Sequence, residues 1–244
     1  MAIDELQIGA IAGRRQDWIT GQHGVRYPPE PWRLGGSLLI SLFALPRSRL
    51  PGGLLDGAAP GFAPLRVAGR ALLATAFAHY GSNGVLEYSE LLVSVAGRRP
   101  PIVHIPQIWV DSEPSLAGGR ELWGIPKELG TFQRTQQAER LSVSMDADGR
   151  SVAGIEATVG RRLAPGLRRL PLRTAQRIPT GSELGAQGGG VLSTNLLLAS
   201  VRRLSASWCF AADGPLGYLD GYRPAFSVAL TDATIVFGLN VTRP

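Results

Sequence analysis

The spacing of its apolar residues limits what this chain can fold into. They come in runs of five to ten, cut by turn residues, with little 3.6-residue periodicity. The strand-like runs are Leu38 to Ala44, Ala71 to His79, Glu87 to Ala96, Ile102 to Val110, Leu141 to Met145, Val152 to Val159, Ala206 to Ala211 and Ala233 to Leu239. Pro51-Gly52, Ser82 to Gly84 and Asp146 to Gly149 punctuate them, and the last two have the composition of hairpin connections. Helical patterning is best over Thr194 to Arg203 and near Tyr218 to Tyr222. No fixed-period repeat and no linker interrupts residues 1–244, and Gly181 to Gly190 is expected to be a glycine-rich loop. The pattern predicts one mostly-β domain, a barrel or packed sheets with few short helices.

Composition narrows the setting. The chain is 44% apolar and 18% charged, enough for a full core and too little charge for disorder. Its longest apolar run, Ser37 to Leu45, stops at Pro46, well short of the roughly 20 residues a membrane-spanning helix needs. The first ten residues carry two acids and no basic segment, unlike a secretory signal. A single cysteine, Cys209, excludes an intrachain disulfide framework and fits a cytoplasmic protein. Its Ser-Trp-Cys-Phe-Ala setting predicts a buried, inert thiol. His23, His79 and His104 stand far apart without metal-ligand spacing, so no metal site is expected. No P-loop, dinucleotide fingerprint or G-x-S-x-G elbow occurs.

The formal charge is +6, and of 25 basic residues all but Lys127 are arginine. The arginine doublets Arg14-Arg15, Arg98-Arg99, Arg161-Arg162, Arg168-Arg169 and Arg202-Arg203 are scattered, without the interleaved aromatics of a single-strand platform. No nucleic-acid partner is expected. Arg161–Arg177 holds six arginines in 17 residues, broken by Pro165 and Pro171. A solvated irregular segment is the expectation there, with an anionic-substrate site as the competing reading. Where only positive charge is wanted this chain uses arginine, and a guanidinium cannot do amine chemistry. The lone lysine is therefore a candidate nucleophile.

One passage, Trp109 to Gly130, sharpens that idea. It reads W-V-D-S-E-P-S-L-A-G-G-R-E-L-W-G-I-P-K-E-L-G. Asp111, Glu113 and Pro114, then Gly119-Arg120-Glu121-Leu122, then Pro126-Lys127, strongly resemble the acetoacetate decarboxylase family pattern at matching spacing. Tyr88-Ser89-Glu90 resembles the family's Tyr-x-Glu element, and weaker likeness runs through Gly214-Pro215-Leu216 to the last strand. The resemblance implies a cone-shaped β-barrel with flanking sheets, self-association into a homo-oligomer, no cofactor, and Lys127 as a Schiff-base lysine. A lysine amine is normally protonated and must be desolvated to attack a ketone. Trp123, Ile125 and Leu129 are the apolar bulk expected around it. The resulting iminium accepts the electron pair released at a neighbouring carbon. Alternation from Tyr88 puts Tyr88, Glu90 and Leu92 on one face, making Glu90 the candidate acid/base. Tyr88, Trp123, Arg120 and Glu121 are candidate substrate-binding residues, with an Arg120–Glu121 ion pair or hydrogen-bond network beneath the loop as the competing reading.

Departures from the pattern matter too. Glu128 stands where the family's decarboxylases place a second lysine, and is a further catalytic candidate; a carboxylate there would favour the ammonium. An arginine and a glutamate of the decarboxylase pattern fall near Gly36 and at Thr75. The resemblance thus implies a Schiff-base lyase on a β-keto acid or related small oxo compound. Decarboxylation is the nearest class; aldolase-dehydratase or cyclase chemistry on the same lysine, and a non-catalytic ligand-binding member, stay open.

Overall fold

The computed structural model describes residues 17–99, 101–178 and 189–243. The Arg14-Arg15 doublet, the N-terminal segment and all but the end of the Gly181–Gly190 loop lie outside the described residues. Strand accounts for 61% and helix for 8%.

A short hairpin, β1 (Ile19–Thr20) with β2 (Arg26–Tyr27), precedes the main sheet. That sheet contains β3 (Trp32–Pro46), β4 (Arg66–Val67), β5 (Arg70–Tyr80), β6 (Tyr88–Ala96) and β7 (Ile102–Val110). Helix α1 (Glu113–Trp123) follows, then β8 (Lys127–Leu129), β9 (Thr131–Gln137), β10 (Arg140–Ala147) and β11 (Arg150–Arg162). The chain finishes with β12 (Arg168–Arg177), β13 (Gly190–Phe210) and β14 (Phe226–Thr242).

Pairing runs β12-β7-β6-β5-β3-β14-β13, and β13 pairs back to β12, so seven strands make a ring. The β12–β7 seam consists of two parallel pairs, Arg173 with Ile102 and Thr174 with Val103. The barrel is thus only narrowly closed. Strand β13 is long enough to serve twice: its first half pairs with β12 and its second half with β11. From there β10 and β9 extend the sheet away from the ring.

Period-two alternation gives the ring strands two apolar faces. Leu39, Phe43, Leu73, Phe77 and Leu91 pack with Leu141, Val143 and Ile155 of the extension. Leu34, Leu38, Tyr80, Tyr88, Ile108 and Val110 belong to a second core, which α1 joins through Ala117, Leu122 and Trp123. The candidate site sits in this second core.

Four expectations are corrected. Thr194–Arg203 is strand, because Leu197, Ala199 and Val201 recur every second residue against the second core while β12 and β14 pair on either side. Near Tyr218, only a single 3-10 turn forms, Gly217–Leu219. Arg168–Arg177 is strand rather than irregular; Pro171 lies outside the two-pair seam, where one flank of β12 is unpaired and a strand proline is tolerated. Cys209 is exposed, because alternation turns it away from the first core, which Trp208 and Phe210 face. Among the described residues no helix is long and apolar enough to cross a membrane.

Candidate active site

Helix α1 starts with Ser112 as its N-cap, the hydroxyl accepting from the Ser115 amide at 3.3 Å, and Pro114 in its first turn. It ends where Gly124 adopts φ 64°, the left-handed cap that favours glycine. The chain then turns straight into β8, which adds parallel to β7 with Lys127 beside Ile108. Arg120 reaches across the turn, its Nε donating to the Lys127 carbonyl at 2.7 Å. Helix and strand are thus tied at the lysine's own backbone.

Lys127 is 4% exposed and Glu90 also 4%. The ammonium Nζ donates to Glu90 Oε2 at 3.0 Å and to Ser115 Oγ at 2.8 Å. It also lies 5.0 Å from the centre of the Tyr88 ring, within cation–π range. Tyr80 donates its hydroxyl to the other oxygen of Glu90 at 3.4 Å. The Tyr88 hydroxyl approaches both Ser115 and Glu90. Removing water from both partners of an ion pair costs more than their attraction often returns, so a buried pair is poor evidence of stabilisation. Its place among two phenols and a hydroxyl points instead to chemistry.

The space that Lys127 needs is made by glycine. A Cβ on Gly119 would stand 2.6 Å from Lys127 Cδ, and one on Gly118 would meet the Trp32 ring at 2.4 Å. Gly119→Ala is expected to push the lysine stem aside and to cost about 1–3 kcal/mol through overpacking. A lowered denaturant midpoint would show it.

Burial first, and then the charge of Glu90, hold the Tyr80 and Tyr88 phenols well above the ordinary tyrosine range. Both therefore remain donors. In the unfolded chain they ionise near pH 10. The native state then binds more protons than the unfolded one above about pH 10, so their contribution is complete below that pH and declines as pH rises beyond it. Unfolding midpoints measured at rising alkaline pH should fall more steeply for the parent protein than for Tyr80→Phe.

Of the residues singled out from sequence, Lys127, Glu90 and Tyr88 come together. Glu128 does not: it is exposed on the opposite face of β8, next to Trp109 in the ladder, so its carboxylate points away from the lysine. Trp123 is buried, its indole donating to Glu30 at 3.0 Å and packing against Trp32 and Phe237. Glu121 accepts from the Tyr27 hydroxyl at 2.7 Å and the Gln22 amide at 3.2 Å, while Arg120 serves the Lys127 carbonyl. The two are thus engaged separately. Thr75 is buried on the face opposite to Ala76 and Ala78, and Ala78 is the residue across from Glu90.

Sequence reasoning missed Ser115, Tyr80 and Gly119. A helix placed from Ser112 would have put Ser115 and Gly119 on one face, four residues apart. A hairpin at Ser82–Gly84 pairs Tyr80 with Tyr88. Among the described residues no cluster of three histidine, cysteine or acidic side chains is placed to hold a metal ion.

The acetoacetate decarboxylase (ADC) family model matches residues 60–187, just over half of the chain. The chain belongs to the acetoacetate decarboxylase family. Acetoacetate decarboxylase 1 of Mesorhizobium japonicum is 36% identical over 69 residues, a stretch covering 27% of this chain and 27% of that relative. Solved structures of the same fold include the enduracididine biosynthesis enzyme MppR complexed with pyruvate, at 17% identity and a TM-score of 0.61, covering 88% of this chain and 90% of MppR. The Legionella pneumophila acetoacetate decarboxylase matches at 18% identity and a TM-score of 0.61, covering 89% and 88%. An acetoacetate decarboxylase-like enzyme from Sphingomonas wittichii matches at 15% and 0.59, covering 88% and 92%. In this family member, the family-like passage of α1 and β8 is what carries the buried amine.

Proposed function

We propose that this protein is a Schiff-base lyase acting on a small oxo acid or related oxo compound, with Lys127 as nucleophile and Glu90 as proton carrier. The observation that carries the reading is the buried Nζ held 3.0 Å from a carboxylate. Glu90 takes a proton from the ammonium, and the freed lone pair attacks the carbonyl carbon. The C–N bond forms while the carbonyl π pair moves to oxygen. Loss of water leaves an iminium, an electron sink that needs neither metal nor organic cofactor. With a β-keto acid, the bond to the carboxylate then breaks, carbon dioxide leaves, and its electron pair enters the C=N system as an enamine. Both protons taken from nitrogen leave with the water, so Glu90 is a carboxylate again when the enamine forms. A proton drawn from solvent through Glu90 then reaches the enamine carbon, and water releases the ketone. Glu128 points outward, so it does not oppose this decarboxylation.

Aldol and dehydration chemistry share the first steps. The pyruvate complex of MppR favours keeping 2-oxo acids among the substrates tested. Incubation with acetoacetate or pyruvate followed by borohydride should add one reduced ligand, mapped to Lys127, the only lysine in the chain. Carbon dioxide release from acetoacetate would assign the class. No adduct with any 2-oxo or 3-oxo acid, together with reversible binding that survives Lys127→Ala, would overturn the enzyme reading in favour of a binding module.

A further inference from the structure

We infer that Ser115 is a catalytic residue of this site: its hydroxyl holds the one proton that stays on the lysine nitrogen and thereby sets the plane of the imine. The inference rests on the imine-forming role of Lys127 proposed above.

Proton bookkeeping leads there. An ammonium and a carbonyl become an iminium and water. Of three N–H protons, two end on the departing oxygen and one stays on nitrogen. Glu90 can relay both departing protons, since its Oε2 is 3.0 Å from Nζ. During each of the two transfers Glu90 carries a proton and is a poor acceptor, so while the C=N bond is being made the N–H that remains turns to its other partner. Ser115 Oγ, 2.8 Å from Nζ, is the other acceptor already in place. It is fully buried, so water does not substitute for it.

The hydroxyl is also fixed in position. Its backbone amide is capped by Ser112, and α1 is tied to β8 through the Arg120 bond to the Lys127 carbonyl. Ser115 and Gly119 share a helix face, one meeting the amine and the other clearing space for the stem. Because an iminium is planar, an N–H anchored on Ser115, with the lysine stem held, fixes the plane in which the ketone substituents lie, and so which side of that plane is turned toward the reductant.

Pyruvate trapped by borohydride tests this, because reduction creates a stereocentre at the former carbonyl carbon. The parent protein should yield mainly one diastereomer of the lysine adduct. Ser115→Ala should form the adduct more slowly, by roughly tenfold or more if the lost bond is typical of a charged donor, and give a mixture of diastereomers. Ser115→Thr, which keeps the hydroxyl, should restore both. Val143→Ala, in the first core and away from α1 and β8, lowers stability without touching the site and should leave the diastereomer ratio unchanged. Ser115→Ala labelled at the parent rate with the parent ratio overturns the role of Ser115 while sparing that of Lys127. A parent protein that acquires no label overturns both.

Discussion

Lys127→Arg is expected to eliminate oxo-acid turnover and borohydride labelling, leaving only the uncatalysed background, a loss of about 10⁶-fold or more if acceleration is of the usual enzymatic size. Arginine keeps a positive charge for Glu90 but offers no nucleophilic amine. The variant should therefore fold. Lys127→Met should lose activity equally and lose stability as well, because it leaves Glu90 buried without its counter-charge. Removing one partner of a buried pair costs about 3–5 kcal/mol. Combining Lys127→Met with Glu90→Gln should recover much of that loss, since the stranded charge disappears. Denaturant midpoints and turnover measured on the three proteins separate the chemical role from the structural one. Retained turnover in Lys127→Arg would end the Schiff-base proposal.

Glu90→Gln is the second large effect. An amide still accepts from Tyr80 and from Nζ, but it leaves the buried ammonium without its counter-charge, a loss of stability like that of Lys127→Met, and it cannot carry protons. General acid–base catalysis typically contributes 10²- to 10⁴-fold, and a decrease of about that size in imine formation is expected. Burst measurements with acetoacetate and the rate of borohydride trapping provide the check. An unchanged rate would show that another group moves the proton.

Much of the site could be read from residue order because its chemistry is concentrated in one passage. Lys127 stands out as the single amine among arginines, and two-residue alternation alone puts Tyr88 and Glu90 on one face. The β class followed from short apolar runs, and the turns at Ser82–Gly84 and Asp146–Gly149 do connect paired strands. What escaped depended on three-dimensional partners. Thr194–Arg203 has enough leucine to satisfy either period, and only its neighbours β12 and β14 select the strand. Cys209 lies among aromatic residues in sequence, yet alternation turns it outward from the aromatic cluster. Ser115 was hidden because its hydrogen-bond partner is a lysine twelve positions away, across a helix end and a turn. Glu128 was overvalued for the opposite reason: adjacency in a strand places side chains on opposite faces.

The link from Arg120 to the Lys127 carbonyl bears on any attempt to move this arrangement of side chains elsewhere. Strand β8 transplanted alone would carry an amine without its setting. The portable unit is the continuous stretch from Ser112 to Leu129, which brings its own cap, hydroxyl, clearance and clamp, and it requires of a host sheet an edge strand for β8 to join and, one strand further in, a carboxylate at the place of Glu90.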